Sequence, residues 1–272
     1  SSTLDGSIAV DNIAVKTPEQ SIPVRIGTME LRGPGLGFLL DLAGGFEGRE
    51  LPAMIQLSMR RMAVPDMQQL VPSMLPAKRG LMDAPPDPCD LGPLVRDAGM
   101  MSTDTYPIYL DMNIGYEMDP NSGSSRLEFA YSVDGGESLM AEVELKGMPQ
   151  PGAVAMGNVP TLDRIAVQYY PNSIFLQTRV GECAGRRGKP IPDFIQGLLA
   201  QPDWKLAKEL GFLPGQGLRG AIGRFLQQPQ EVVLIAGPIE NPQLLGSGQL
   251  SPQQMVQQLN LLVSVNGEPV NS

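Results

Sequence analysis

The sequence predicts an α+β fold in which a curved, mainly antiparallel β-sheet of about eight to ten strands carries helices on one face or end. Three observations predict it. Apolar residues recur at every second position in block after block up to Val180, the period of a half-buried strand. The 31 glycines and 26 prolines fall between these blocks and act as turn punctuation, not as low-complexity runs. Beyond Ile191 the apolar spacing becomes that of amphipathic helices, which makes the C-terminal third helix-rich.

The elements follow in order. From Leu4 to Glu30, apolar residues at Leu4, Ile8 and Val10, at Ile13 and Val15, and at Ile22, Val24 and Ile26 predict two or three strands punctuated by Pro18 and Pro23. A short helix is expected over Phe38 to Ala43, then a strand through Met54, Ile55, Leu57, Met59 and Met62. The Pro-rich segment from Pro65 to Pro88 holds a brief helix around Asp66 to Met74, with Asp66 as its cap. Another helix, Leu91 to Ala98, is ended by Gly99.

The strongest strand signal comes next. Tyr106, Ile108, Leu110, Met112, Ile114, Tyr116 and Met118 alternate, as do Leu127, Phe129, Tyr131 and Val133, and then Leu139, Ala141, Val143 and Leu145. Turns at Asp119-Pro120-Asn121-Ser122-Gly123 and Asp134-Gly135-Gly136 join them into a meander. Ile165, Val167 and Tyr169 followed by Ile174, Leu176, Thr178 and Val180 read as a further hairpin around Pro171-Asn172-Ser173. Helices are predicted over Asp193 to Leu199, Trp204 to Leu210, Leu218 to Leu226 and Ser251 to Leu259, with strands at Glu231 to Ala236 and Leu261 to Val265. The organisation is an N-terminal strand region (1–88), a central meander (89–182) and a helix-rich region (183–272), as one continuous or two intimately packed domains.

The two cysteines and the absence of histidine set the chemistry. Cys89 and Cys183 lack metal-site spacing and read as one disulfide in an oxidising compartment, two unrelated buried thiols being the alternative. Without histidine there is no Ser-His-Asp triad and no histidine-ligated metal. Carboxylate pairs remain at Asp83 and Asp87, Glu117 and Asp119, and Glu142 and Glu144, and these read as the wet side of strands. No catalytic residue, cofactor or metal is predicted. Gly33, Gly35 and Gly37 resemble part of a dinucleotide fingerprint, yet Phe38 interrupts it. The turn at Asp119 to Gly123 lacks the length and terminal glutamate of a calcium loop.

A net charge of -9 argues against nucleic acid, and the one basic cluster, Arg179, Arg186, Arg187 and Lys189, reads as a solvated loop. The stretch from Ile191 to Leu213 pairs its lysines with acids and so reads as a sheet-covering helix, not a membrane-surface one. No run is long enough for a membrane-spanning helix. The chain begins at Ser1-Ser2, and the expectation is that a signal or inner-membrane anchor precedes it in the full-length protein. The 15 methionines suit either core filling or an adaptable apolar binding surface.

Several strands, Leu4-Asp-Gly-Ser-Ile-Ala-Val-Asp-Asn-Ile, Val24-Arg-Ile-Gly-Thr-Met-Glu-Leu-Arg-Gly, Leu162-Asp-Arg-Ile-Ala-Val-Gln-Tyr-Tyr and Leu262-Val-Ser-Val-Asn-Gly, resemble those of the periplasmic AsmA- and TamB-like proteins of Gram-negative bacteria. The resemblance is one of strand texture without a sharp motif, so no functional residue carries over. It implies a curled sheet with an apolar inner groove and a role in envelope lipid homeostasis. The expectation is therefore a non-enzymatic periplasmic protein that binds a lipid or other apolar ligand. Candidate groove residues are Ile108, Leu110, Met112, Ile114, Phe129 and Tyr131, with Trp204 and Phe225 as a helical lid; the same residues are ordinary core if the space is filled. The alternative expectation is an envelope scaffold or secretion-system component acting through protein partners.

Overall fold

The computed structural model describes residues 7–15, 24–33, 53–64, 87–97, 108–119, 121–147, 161–239 and 259–270. The helices expected at Phe38 to Ala43, at Asp66 to Met74 and over most of Ser251 to Leu259 lie outside these residues. Among the described residues ten strands form one open, curved sheet in strict chain order. They are β1 (Ser7–Val15), β2 (Val24–Arg32), β3 (Met54–Val64), β4 (Ile108–Asp119), β5 (Ser124–Val133), β6 (Ser138–Lys146), β7 (Thr161–Tyr170), β8 (Val232–Ala236), β9 (Leu262–Val265) and β10 (Glu268–Pro269). Every neighbouring pair is antiparallel. The α+β expectation holds, and one sheet runs through all three segments of the chain.

Alternation fixes the faces of this sheet, and three strands break it at the same place. The β1–β2 register skips Asn12 and Gly27, and on β3 the pair Arg60 and Arg61 stands opposite Asp111 alone. Asn12 and Arg61 take positive φ, 57° and 52°, and the Arg61 amide donates to Asp111 Oδ1 at 2.7 Å. Each extra residue restores the phase of the apolar side chains. Val10 and Ile13, Ile26 and Met29, and Met59 and Met62 are three apart yet share a face. The step between Val10 and Ile13 is thus a bulge within one strand, and the first block makes two strands among the described residues.

Five helices are described: α1 (Leu91–Asp97), α2 (Ser173–Arg186), α3 (Ile191–Leu199), α4 (Asp203–Leu210) and α5 (Gln216–Gln227). The last four interrupt the meander between β7 and β8, which still pair directly. The second arm of the expected hairpin, Ile174 to Val180, is helix and not strand. Pro171-Asn172-Ser173 is a helix start: Asn172 Oδ1 accepts the Phe175 amide at 3.1 Å, satisfying an otherwise unpaired donor. Leu176, Val180, Cys183 and Ala184 are the buried positions, a helical spacing that overrides the strand-like alternation. Pro202 caps α4, and Gly211 at φ 81° closes it in the left-handed conformation that glycine adopts without a Cβ penalty.

The helices bury a core of their own. Leu91, Leu94, Leu176, Val180, Ile195, Leu198, Leu206, Ala221 and Leu226 meet at its centre, and Val265 of β9 joins them from the sheet. Cys89 and Cys183 form a disulfide within this core, with their Cα atoms 5.3 Å apart. It draws α1, which lies between β3 and β4 in sequence, onto the helices inserted after β7. Asp87 reinforces the junction by accepting the Cys89 amide at 2.9 Å and pairing with Arg187 at 2.6 Å. Gly92 lets α1 and α4 approach closely: a Cβ there would stand 2.5 Å from the Glu209 carbonyl oxygen.

Candidate functional site

Register assembles a continuous apolar surface along the sheet. One row of directly paired residues runs Val10, Met29, Met59, Met112, Tyr131, Leu139, Tyr169, Val232 and Val265, crossing nine strands without a charged residue. Its neighbour runs Ile8, Leu31, Leu57, Ile114, Phe129, Ala141, Val167, Leu234 and Val263. Together they make one apolar face. The helices cover only its far end, where Tyr169 and Val232 pack on the helical core and Val265 is buried. Toward β1 the side chains open to solvent: Phe129 is 38% exposed, Ile114 40%, Leu127 40% and Val10 45%.

The structure brings six of the predicted groove residues together. Ile108, Leu110, Met112 and Ile114 lie in sequence along one face of β4; Met112 pairs with Tyr131 and Ile114 with Phe129. The Phe129 and Tyr131 rings lie 6.1 Å apart. Ile108 is buried, while the others are half-buried or exposed. The two predicted lid residues stand elsewhere. Trp204 is 70% exposed on α4, and Phe225 is buried in the helical core. Neither lies over the β4–β5 region, because the helical unit grips the sheet at the β9 end.

Two buried hydroxyls interrupt the apolar face at the β4–β5 turn. Tyr116 Oη and Ser125 Oγ have no hydrogen-bond partner among the described residues. Tyr116 pairs with Leu127 and Ser125 with Met118, so they are diagonal neighbours across two strands. Burial raises the pKa of Tyr116 and keeps it a neutral donor.

Near the covered end a polar knot went unread in the sequence. Glu137, 7% exposed, accepts from Tyr131 Oη and Tyr169 Oη, each at 2.8 Å. Desolvation raises the Glu137 pKa and outweighs the lowering by the two phenol hydrogen bonds; it raises both tyrosines strongly as well. Glu137 follows a Gly-Gly turn, where an acid is ordinarily solvated, and no local signal marks it for burial.

Of the acids considered for catalysis, Asp87, Asp119, Glu142 and Glu144 have structural partners. Glu142 and Glu144 face Arg164 at 3.6 and 3.3 Å, and Asp119 accepts from the Asn121 amide and Ser122 Oγ inside its turn. Those turn bonds hold the Asp119 carboxyl below its usual pKa. Asp83 lies outside the described residues. Among the described residues no cluster of three or more potential metal ligands occurs, and no helix is long and apolar enough to cross a membrane. A disulfide in the core places the chain in an oxidising, non-cytoplasmic environment. Comparison with family models, with curated proteins and with solved structures gives no match.

Proposed function

We propose that this chain is a non-enzymatic binding protein of the Gram-negative periplasm that holds the acyl chain of a lipid along the apolar face of its sheet. The observation that carries the reading is the solvent-open part of that face, from Val10 on β1 to Phe129 on β5. From β1 to β5 this open part spans roughly 19 Å at about 4.8 Å per strand. That exceeds the roughly 15 Å depth of one membrane leaflet, so a long acyl chain fits across the strands. The absence of histidine and the ion-paired acids on the opposite face support a binding role over a catalytic one.

Native mass spectrometry after mild extraction tests the reading. The wild-type chain is expected to carry a lipid mass, and Phe129→Asp, at an exposed position, is expected to lose it while Glu128→Gln on the opposite face retains it. A wild-type chain that carries no lipid and extracts none from phospholipid vesicles overturns it. One observation favours a second reading, an envelope scaffold that acts through its strand edge: among the described residues β1 ends the sheet, and eight of its nine residues are exposed. A lipid-free chain that oligomerises until β1 receives a proline at Val10 would establish that alternative.

A further inference from the structure

The face opposite the apolar one divides into two regions of different chemistry. Toward the β4–β5 turn it is a charge ladder, in which Arg126 lies 3.8 Å from Glu142, Arg164 3.3 Å from Glu144 and Lys146 2.7 Å from Asp163. Toward the other end of the same strands charge gives way to amides and hydroxyls. There the surface sinks into an open groove of about 540 Å³ that crosses β3 to β7. We infer that this groove is a binding site for a neutral oligosaccharide.

Charge is the first argument. Among the described lining residues only Arg60 and Asp111 are ionised, one of each sign, so the described lining carries no net charge in a chain of net charge -9. It holds no surplus cation to draw an anionic ligand. Unused hydrogen-bonding capacity is the second. Asn113 Oδ1 accepts from Ser58 Oγ at 2.9 Å and from Gln56 Nε2 at 3.3 Å, which leaves Asn113 Nδ2 and Gln56 Oε1 for a ligand. The Gln168 carboxamide engages no partner among the described residues. A carboxamide presents a donor and an acceptor side by side, the complement of adjacent sugar hydroxyls.

The third argument is the apolar relief between these groups. Met140, 49% exposed, and the Tyr170 ring offer flat hydrocarbon to the C–H faces of a pyranose. Tyr170 is oriented by donating its hydroxyl to Glu231 at 2.8 Å. The volume falls within the roughly 300–1,000 Å³ of small-ligand sites. An extended peptide is the poorer fit, because it docks by pairing with a free strand edge and β3 to β7 are paired on both sides.

Calorimetric titration with maltohexaose, cellohexaose and chitohexaose, and with an anionic hexagalacturonate as counterpart, tests this inference independently of acyl-chain binding on the other face. Saturable binding of at least one neutral hexamer is expected, weakened about tenfold or more by Gln168→Ala and by Asn113→Ala and left unchanged by Glu128→Gln, whose carboxylate lies 3.9 Å from Arg126 in the charge ladder. Gln168→Ala keeps the test decisive if Asn113→Ala disturbs folding, because Gln168 supports no other side chain. No binding of any neutral hexamer at millimolar concentration overturns the inference. So does binding that survives Gln168→Ala, or hexagalacturonate binding as tightly as the neutral hexamers.

Discussion

Glu137 shows how one residue sets a pH response in this protein. Its carboxyl is buried where β5, β6 and β7 meet, and two tyrosine hydroxyls donate to it. The folded pKa is raised above the ordinary glutamate value of 4.5, so the folded state binds this proton more tightly than the unfolded state. The resulting stabilisation is complete below the ordinary value and is lost as pH rises through the folded value. Glu137→Gln, which cannot ionise, removes the effect. Urea denaturation from pH 4 to pH 8 is expected to show wild type losing stability relative to Glu137→Gln as pH rises; a difference independent of pH would refute the assignment. Tyr131 was legible as a face residue from its alternation, but its acid partner was not, because only the fold brings Tyr169 and the turn to the same point.

Elements are where alternation both succeeds and misleads. The meander of β4, β5 and β6 was legible because strict period-two patterns end at turn residues, and nothing in the packing contradicts them. In β1, β2 and β3 the same signal carries an odd step, and the sheet absorbs it as aligned bulges. Asn12 is exposed and sits at φ 57°, so its side chain matters less than its backbone angle. Asn12→Val is expected to be about 1–2 kcal/mol less stable than Asn12→Gly, measured by chemical denaturation, because a β-branched residue is penalised in the left-handed region. Equal stability of the two variants would argue against the bulge. Ile174 to Val180 is the converse case. A two-residue period appears by coincidence on a helix whose true face, Leu176, Val180 and Cys183, is set by the cap at Asn172 and by contact with the other helices.

At the scale of the whole molecule, the disulfide joins two parts of the chain that the sheet alone would leave apart. Cys89 and Cys183 are separated by 94 residues and close a loop containing β4 to β7. Their double replacement, Cys89→Ser with Cys183→Ser, is expected to cost about 2–5 kcal/mol in unfolding free energy, chiefly through the freedom regained by the unfolded chain. A nonreducing peptide map is expected to recover the two cysteine peptides linked. Unlinked peptides, or a double variant as stable as wild type, would remove this element of the architecture. The helical unit meets the sheet at the β9 end through Val265, and much of the apolar face toward β1 remains open.

Local periodicity and turn chemistry were enough for the α+β class, for the three strands β4, β5 and β6 of the central meander, and for helices α1, α3, α4 and α5. The sequence by itself also brought Ile108, Leu110, Met112, Ile114, Phe129 and Tyr131 onto one face, since strand alternation needs no tertiary information. Tertiary structure alone decided that Trp204 and Phe225 do not roof that face, that Glu137 is buried, and that the polar side sinks into a groove between a charge ladder and Tyr170. Each depends on where distant segments dock and how the sheet curves. Those outcomes arise from long-range packing, which leaves no periodic trace in the chain.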